Sequence, residues 1–181
     1  MICEKTKLAL QKLFGLVEDD AEAVKWYRLA AEQGGAAAQY YLGDVYKNGQ
    51  GVVQDHAEAA RWYRLAAEQG NAKAQNNLGT MYYNGKGVVQ DYAEAVRWYR
   101  MAAEQGHAGA QVTLGSRYAQ GRGVPQDDII AHMWFNIATA NGHEAARQAR
   151  DSAANLMTAD TIAEAQRRAR ACLDSNYQDC G

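Results

Sequence analysis

The feature that most constrains this chain is a repeat of 36 residues. Its clearest markers are the tryptophans, which follow one another at that spacing throughout: Trp26, Trp62, Trp98 and Trp134. The segment around the second of them, residues 59–70, recurs in phase around the others. A fixed period of this length is typical of stacked supersecondary units that share a continuous core. The sequence therefore predicts a repeat array and argues against one globular core of mixed topology.

The tryptophan-bearing half of each repeat predicts an amphipathic helix. In the second copy it covers residues 55–68, and its recurring apolar positions are 59, 62, 63, 66 and 67. This spacing places them on one helical face. Asp55 is expected to cap the helix at its start, and Gly70 to end it in a left-handed conformation. The Trp-Tyr pair is accordingly interpreted as core, and not as a stacking platform for carbohydrate or single-stranded nucleic acid.

The other half of each repeat predicts a first helix, which in the same register covers residues 72–84. Gln75, Leu78, Gly79 and Tyr82 are constant among the repeats and mark its buried side. A glycine inside a helix costs about 1 kcal/mol relative to alanine. Its recurrence in phase therefore indicates that a neighbouring helix approaches closely there. The Gly-x-Gly-Val loop that follows is expected to supply turns of positive φ.

The combined pattern resembles a known family. It reads Ala-x-Ala-Gln-x-x-Leu-Gly-x-x-Tyr-x-x-Gly-x-Gly-Val-x-Gln-Asp, followed by Ala-x-x-Trp-Tyr-x-x-Ala-Ala-x-x-Gly. This pattern is similar to the Sel-one-like repeat, a relative of the tetratricopeptide repeat, over about residues 15–142. The resemblance implies an all-α, right-handed α/α superhelical solenoid that acts as an adaptor or scaffold. It also implies that the first helix of each repeat lines a concave face, where a protein or peptide partner would bind.

We expect a single solenoid domain over residues 1–181. Residues 1–15 depart from the consensus but keep an apolar stripe, which predicts a degenerate N-terminal cap helix. Residues 16–142 hold the repeats, and residues 143–181 are expected to form C-terminal capping helices and a tail. In that tail we expect one helix over 143–156 and a second that begins after Thr158 as its N-cap. Atypical terminal units of this kind give a repeat array a polar outer surface.

The three cysteines lie outside the regular repeats. Cys172 and Cys180 are eight residues apart, and a turn after Leu173 would bring them to disulfide distance. A bridge there would favour a periplasmic or secreted protein. The alternative is a pair of unbridged thiols in a cytoplasmic protein. Cys3 is the odd one and is expected to be a free thiol.

Composition excludes several classes of partner and chemistry. The formal net charge of −2 gives no electrostatic case for nucleic acid, and no apolar run approaches the length of about 20 residues that a membrane span needs. His107 and His143 share one repeat position, but no further ligand accompanies them, so we expect no metal and no cofactor. The recurring Glu58 position is interpreted as part of a helix cap, and no catalytic residues are predicted. We expect a monomer.

The binding face is predicted from helical phase. The direction opposite the constant residues of the first helices is occupied by the slots of residues 73, 77, 80 and 84. These slots vary among the repeats and are polar and nearly uncharged, as a recognition surface for an extended backbone would be, although a merely solvated face would vary as well. The predicted lining residues are Tyr41, Asp44, Asn48, Lys73, Asn77, Thr80, Asn84, Thr113, Ser116 and Gln120.

Two other functions compete with a peptide-binding scaffold. One branch of the family, the Helicobacter cysteine-rich proteins, pairs cysteines eight apart within each repeat and has been associated with penicillin binding. By that resemblance alone the chain would be a β-lactam-interacting hydrolase, but its repeats carry no such cysteine pairs. The other alternative is a structural module that self-associates through its ends.

Overall fold

The structure is a computed structural model that describes residues 20–180, with side chains from residue 22 onward. Over this range the secondary structure is helical, without strands, which confirms the all-α prediction. The helices are α1 (Asp20–Glu32), α2 (Ala36–Asn48), α3 (His56–Glu68), α4 (Ala72–Asn84), α5 (Tyr92–Ala103), α6 (Ala108–Gln120), α7 (Asp128–Ala140), α8 (Glu144–Ala154) and α9 (Ala159–Asp174). The predicted cap helix of residues 1–15 and Cys3 lie outside the described residues.

Packing divides the chain into two compact units, Met1–Gln90 and Asp91–Gly181. In unit one, α1 packs on α2, α2 on α3 and α3 on α4. In unit two, α5 packs on α6, α6 on α7, and α7 on both C-terminal helices. The expectation of a single domain over the whole chain stays a prediction.

The helix boundaries follow the local signals in the repeat. The Asp55 carboxylate accepts hydrogen bonds from the backbone N–H groups of Ala57 and Glu58, and so caps α3 as predicted. Gly70 follows that helix with φ at +87°, a conformation that an L side chain rarely adopts. The predicted first helix of residues 72–84 is observed with the same bounds. Short-range chemistry therefore sets where α3 begins and ends.

Three of the four tryptophans are core, as predicted, whereas Trp26 is only partly buried. Trp62, Trp98 and Trp134 expose only 5%, 3% and 1% of their surface. In unit one, Trp62 packs in a cluster with Leu42 and Val45, which are also buried. Burial of an aromatic side chain removes 150–250 Å² from water, so these residues dominate the stability of each unit.

The recurring helix glycines allow aromatic rings to approach the helix backbone. A Cβ added at Gly43 would lie 2.6 Å from the Cδ1 and Cε1 atoms of Tyr63. At Gly115 the nearest ring atom, on Phe135, would be 2.8 Å away. These distances are about 1 Å shorter than ordinary contacts between carbon atoms. The predicted close approach is therefore confirmed at both positions.

The C-terminal helices cover the last repeat. Helix α8 begins one residue later than predicted and ends two residues earlier, at Ala154. Helix α9 begins after Thr158, whose hydroxyl accepts from the backbone N–H of Thr161 as the predicted N-cap. Both helices pack on α7, where Met133 and Ile137 are almost completely buried. The apolar character of α7 is explained by this cover.

Candidate protein-binding face

Buried hydrogen bonds orient the first helices. In α2, α4 and α6 a glutamine side chain donates its amide N–H to a backbone carbonyl of the preceding helix. In α4 this is Gln75, whose amide nitrogen lies 3.0 Å from the carbonyl oxygen of Ala67. These amides are nearly inaccessible to solvent, where an unpaired polar group would be costly. The glutamine side of each first helix is therefore held inward, and the opposite side is left at the surface.

The predicted lining residues occupy that outer side, and none of them is buried. We call this set the first-helix face. It has a part in unit one, on α2 and α4, and a part in unit two, on α6. The most exposed members are Asn48, Lys73, Thr80, Asn84 and Gln120.

Several polar groups of the first-helix face bond to their own helices. The hydroxyls of Thr80, Thr113 and Ser116 each donate to the carbonyl four residues earlier, at 2.9–3.0 Å. The Asn84 amide donates to the carbonyl of Thr80 at 2.9 Å. Hydroxyls at such positions commonly bond back to the preceding turn. The expectation that these groups hydrogen bond to an extended partner stays a prediction.

Asp44 joins several elements of unit one. Its Oδ1 atom accepts from the Tyr63 hydroxyl at 2.5 Å, from Lys47 Nζ at 3.3 Å and from Asn77 Nδ2 at 3.4 Å. These donors come from α3, from α2 itself and from α4. The carboxylate side chain nevertheless keeps 24% of its surface exposed. Two of the predicted face residues, Asp44 and Asn77, are thus brought into contact.

A series of tyrosine rings in mutual contact leads to this carboxylate, which interacts with Tyr63 and Tyr40. The ring centroid of Tyr41 lies 5.6 Å from that of Tyr27 and 5.3 Å from that of Tyr40. Tyr40 in turn lies 6.0 Å from Tyr63. These distances are those of interacting aromatic pairs. We call Asp44 with these four rings the tyrosine cluster.

Burial raises the pKa of the Tyr63 hydroxyl, and hydrogen bonding to Asp44 raises it further. The pKa of Tyr40 is also raised, by burial first and then by its interaction with Asp44. Both hydroxyls therefore stay protonated at neutral pH and act as donors toward the carboxylate.

Sequence reasoning identified Tyr41 and Asp44 but missed Tyr27, Tyr40 and Tyr63. Position 63 belongs to the Trp-Tyr pair, so helical phase correctly assigned its ring to the core. Phase does not show that the hydroxyl at the tip reaches the first-helix face. The sequence carried one signal for these additional tyrosines. Tyr40 is a tyrosine at a repeat position that holds asparagine and valine in the next two repeats.

In the described part of unit two, residues 91–180, the positions two periods after Asp44, Tyr40 and Tyr63 hold other residue types. Two periods after Asp44 the chain has Ser116, and two periods after Tyr40 it has Val112. The slot of Tyr63 holds Phe135, which lacks a hydroxyl. The repeat scaffold is thus the same in both units, while the chemistry on its face differs.

The C-terminal tail is attached at two points in unit two. Cys172 and Cys180, the pair singled out in the sequence, are joined by a disulfide with their Cα atoms 4.6 Å apart, and both are buried. The Tyr177 hydroxyl accepts a hydrogen bond of 2.8 Å from the Asn141 amide. Asn141 donates also to the Gln111 carbonyl oxygen at 2.9 Å. The tail is therefore tied to the same buried glutamine that orients α6.

The shared histidine position has a structural explanation at one of its two occurrences. His107 Nδ1 accepts from the backbone N–H of Ala110 and caps the start of α6. Among residues 22–180, no three histidine, cysteine, aspartate or glutamate side chains are grouped as a metal site would need. Nor is any helix of that part long and apolar enough to cross a membrane.

Comparison with known proteins agrees with the repeat period. The family model described as Sel1 repeat matches residues 6–35, 36–71, 72–107 and 108–143. The matched region begins nearer the N-terminus than the boundary expected from the sequence pattern. No curated protein matches the chain at a significant level.

Solved structures of similar fold come from several bacteria. A Sel1 repeat protein from Oxalobacter formigenes is 40% identical over 70% of this chain and 95% of its own, with a TM-score of 0.65. A protective antigen of uropathogenic Escherichia coli, described as displaying an SLR fold, is 29% identical over 96% of this chain, with a TM-score of 0.67. The present chain spans only 46% of that antigen. Cysteine-rich protein B of Helicobacter pylori, at 24% identity over 70% of this chain and 91% of its own, has a TM-score of 0.56 and shares the fold. The fold class is an all-α helical-repeat solenoid.

Proposed function

This chain belongs to the Sel1 repeat family, and from that premise we propose that it is a non-enzymatic scaffold that binds a peptide or protein surface. Sel1 repeats generally mediate protein interactions, and helical-repeat arrays present extended binding surfaces. The proposed binding surface is the first-helix face, and within it the part that belongs to unit one.

The observation that supports this choice most is the tyrosine cluster. Tyr40 and Tyr41 are partly exposed and are additional to the tyrosine or phenylalanine that each repeat places beside its tryptophan. Tyr27 is that tyrosine in the first repeat, and it is partly exposed as well. Tyrosine is one of the residue types that contribute most to binding energy at protein interfaces. Its ring loses little conformational entropy when a partner covers it, because it rotates about only two side-chain bonds.

The scaffold separates stability from recognition. The buried glutamines, the tryptophans and the helix glycines hold the helices together on the inward side. Ring contacts of Tyr41 are with Tyr40, which is partly exposed, and with Tyr27, which is partly exposed on one side and packs against the core cluster of unit one. A substitution at Tyr41 is therefore expected to alter the face while leaving the core in place.

The test is a capture experiment with the immobilised full chain and a lysate of the source organism. A partner identified by mass spectrometry is then measured against purified variants. Tyr41→Ala and Asn77→Ala are expected to weaken its binding at least tenfold, a loss of about 1.4 kcal/mol or more. Melting temperatures within a few degrees of the parent chain would show that the fold is kept.

The matched control lies on the outer side of the second helix. Arg61 is exposed and pairs with Glu58 on the same helix, so Arg61→Ala removes a surface charge without touching the first-helix face. We expect this variant to bind the partner as the parent chain does. Normal binding by both face variants, together with loss of binding in Arg61→Ala, would contradict the proposal.

A further inference from the structure

We propose that the tyrosine cluster is a subsite for a cationic side chain of the bound peptide, with arginine preferred. This inference rests on the proposed function and adds the chemistry that the partner must carry. The geometry supplies a partly exposed carboxylate together with aromatic rings on neighbouring helices.

The carboxylate already pairs with a cation. Lys47 Nζ lies 3.3 Å from Asp44 Oδ1, and both side chains remain partly open to solvent, with 39% and 24% of their surfaces exposed. An exposed pair of this type contributes little to stability. Lys47 therefore indicates where a cation contacts Asp44. Because this ion pair is weak, a cation of the partner should be able to displace Lys47 from the carboxylate.

The tyrosine rings of the cluster are also suited to contact a cation. Tyr63 donates its hydroxyl to Asp44, so its ring stands next to a full negative charge. Tyr63 is fully buried, whereas Tyr40 and Tyr41 are partly exposed, and Tyr40 also interacts with Asp44. A cation over such a ring is attracted by the negative π-face, and the neighbouring carboxylate adds to that attraction.

Arginine matches this arrangement better than lysine. A guanidinium is planar, stacks on an aromatic ring and presents several N–H donors toward a carboxylate at the same time. The ring and the carboxylate at this site lie on adjacent turns of α2, since Tyr41 and Asp44 are three residues apart. One guanidinium is thus able to contact both.

Unit two provides an internal comparison. Its first-helix slot equivalent to Asp44 holds Ser116, whose hydroxyl donates to its own helix. Thr113 stands at the slot of Tyr41. With neither carboxylate nor ring at these slots, this part of the face is expected to bind no cation.

The experiment uses the full chain, labelled with ¹⁵N, and a small probe. Nα-acetylarginine methylamide is titrated while amide shifts are followed by NMR, and the neutral isostere Nα-acetylcitrulline methylamide is titrated in parallel. The arginine probe is expected to shift the amides of Tyr40, Tyr41, Asp44 and Asn77 and to bind at least about fivefold more tightly than citrulline. Equal binding of the two probes, or shifts that map elsewhere, would overturn the inference.

Two substitutions should act in opposite directions. Asp44→Asn keeps an acceptor oxygen for Tyr63 but removes the charge, and is expected to abolish the preference for arginine over citrulline. Lys47→Gln removes the competing cation and is expected to tighten arginine binding about two- to fivefold. Ser116→Ala is the control and should change nothing. An unchanged preference in Asp44→Asn, or weaker binding in Lys47→Gln, would also refute the subsite.

If the melting curve of Asp44→Asn shows a folding defect, the cation subsite is tested with Lys47→Gln and Tyr41→Leu instead. Tyr41→Leu should weaken the arginine probe while leaving the fold intact, and undiminished binding would count against the inference. Failure here is distinguishable from failure of the proposed function. If the captured partner depends on Tyr41 but binds Asp44→Asn as it binds the parent, the scaffold proposal stands and the cation subsite falls.

Discussion

Replacement of Gly43 by alanine tests the packing of the repeat most sharply, because two effects of opposite sign compete there. Alanine in a helix interior is favoured over glycine by about 1 kcal/mol. Against this, the new Cβ would lie 2.6 Å from two ring atoms of Tyr63. That ring is fully buried, and its hydroxyl is bound to Asp44, so it has no room to turn away.

The magnitude follows from these two terms. Overpacking of a well-filled core costs typically about 1–3 kcal/mol. After the gain in helix propensity is subtracted, Gly43→Ala should destabilise unit one by about 1 kcal/mol. The matched control is Gly109→Ala, where the added Cβ meets only the edge of the His107 side chain at 3.3 Å. That variant should be neutral or up to about 0.5 kcal/mol more stable.

Urea unfolding followed by circular dichroism and tryptophan fluorescence measures both variants. A double-mutant cycle with Tyr63→Leu isolates the contact, because removal of the ring should let Gly43→Ala become stabilising. The expected coupling is about 2 kcal/mol. A Gly43→Ala variant more stable than the parent, or additive effects in the cycle, would refute the argument that the glycine accommodates the ring.

Three further outcomes are expected from the structure. Trp62→Ala should cost about 3–5 kcal/mol in urea unfolding, and a loss below about 1 kcal/mol would show that the tryptophan stripe is not core. Reduction of the Cys172–Cys180 bridge should lower the unfolding free energy by about 2–3 kcal/mol, whereas a variant with alanine at both positions should not respond to reductant. Burial, and then the nearby Arg150, lower the pKa of His132 from its ordinary 6.5, so the unfolded chain binds the proton first. Stability should therefore fall as pH drops below about 6.5, and His132→Gln should reduce that dependence in unfolding curves at pH 7.5 and 5.5; an unchanged slope would contradict it.

The sequence was most informative where the chemistry is local. Asp55 and Gly70 act within one turn of their own helix, so the bounds of α3 could be predicted from their positions. The burial of Trp62 followed from helical phase and the 36-residue period. These features repeat, and each copy strengthens the prediction made from the others.

The site was less predictable because it depends on which polar groups at the tips of side chains from different helices meet. Asp44 was placed on the face by phase, but its contacts with Tyr63 and Asn77 join residues from three helices. The burial of His132 could not be predicted from the sequence, for a related reason. It lies on the apolar helix α7, and only the packing of α8 and α9 shows that its imidazole is buried.

The claim that the first-helix face of unit one binds the partner is tested most directly by site-specific photocrosslinking. A benzophenone amino acid is placed at position 41 in one variant and at position 61, on the outer side of α3, in another. Each variant is irradiated with the captured partner, and the adduct is sequenced by mass spectrometry. We expect an adduct from position 41 and none from position 61. An adduct from position 61 alone would contradict it.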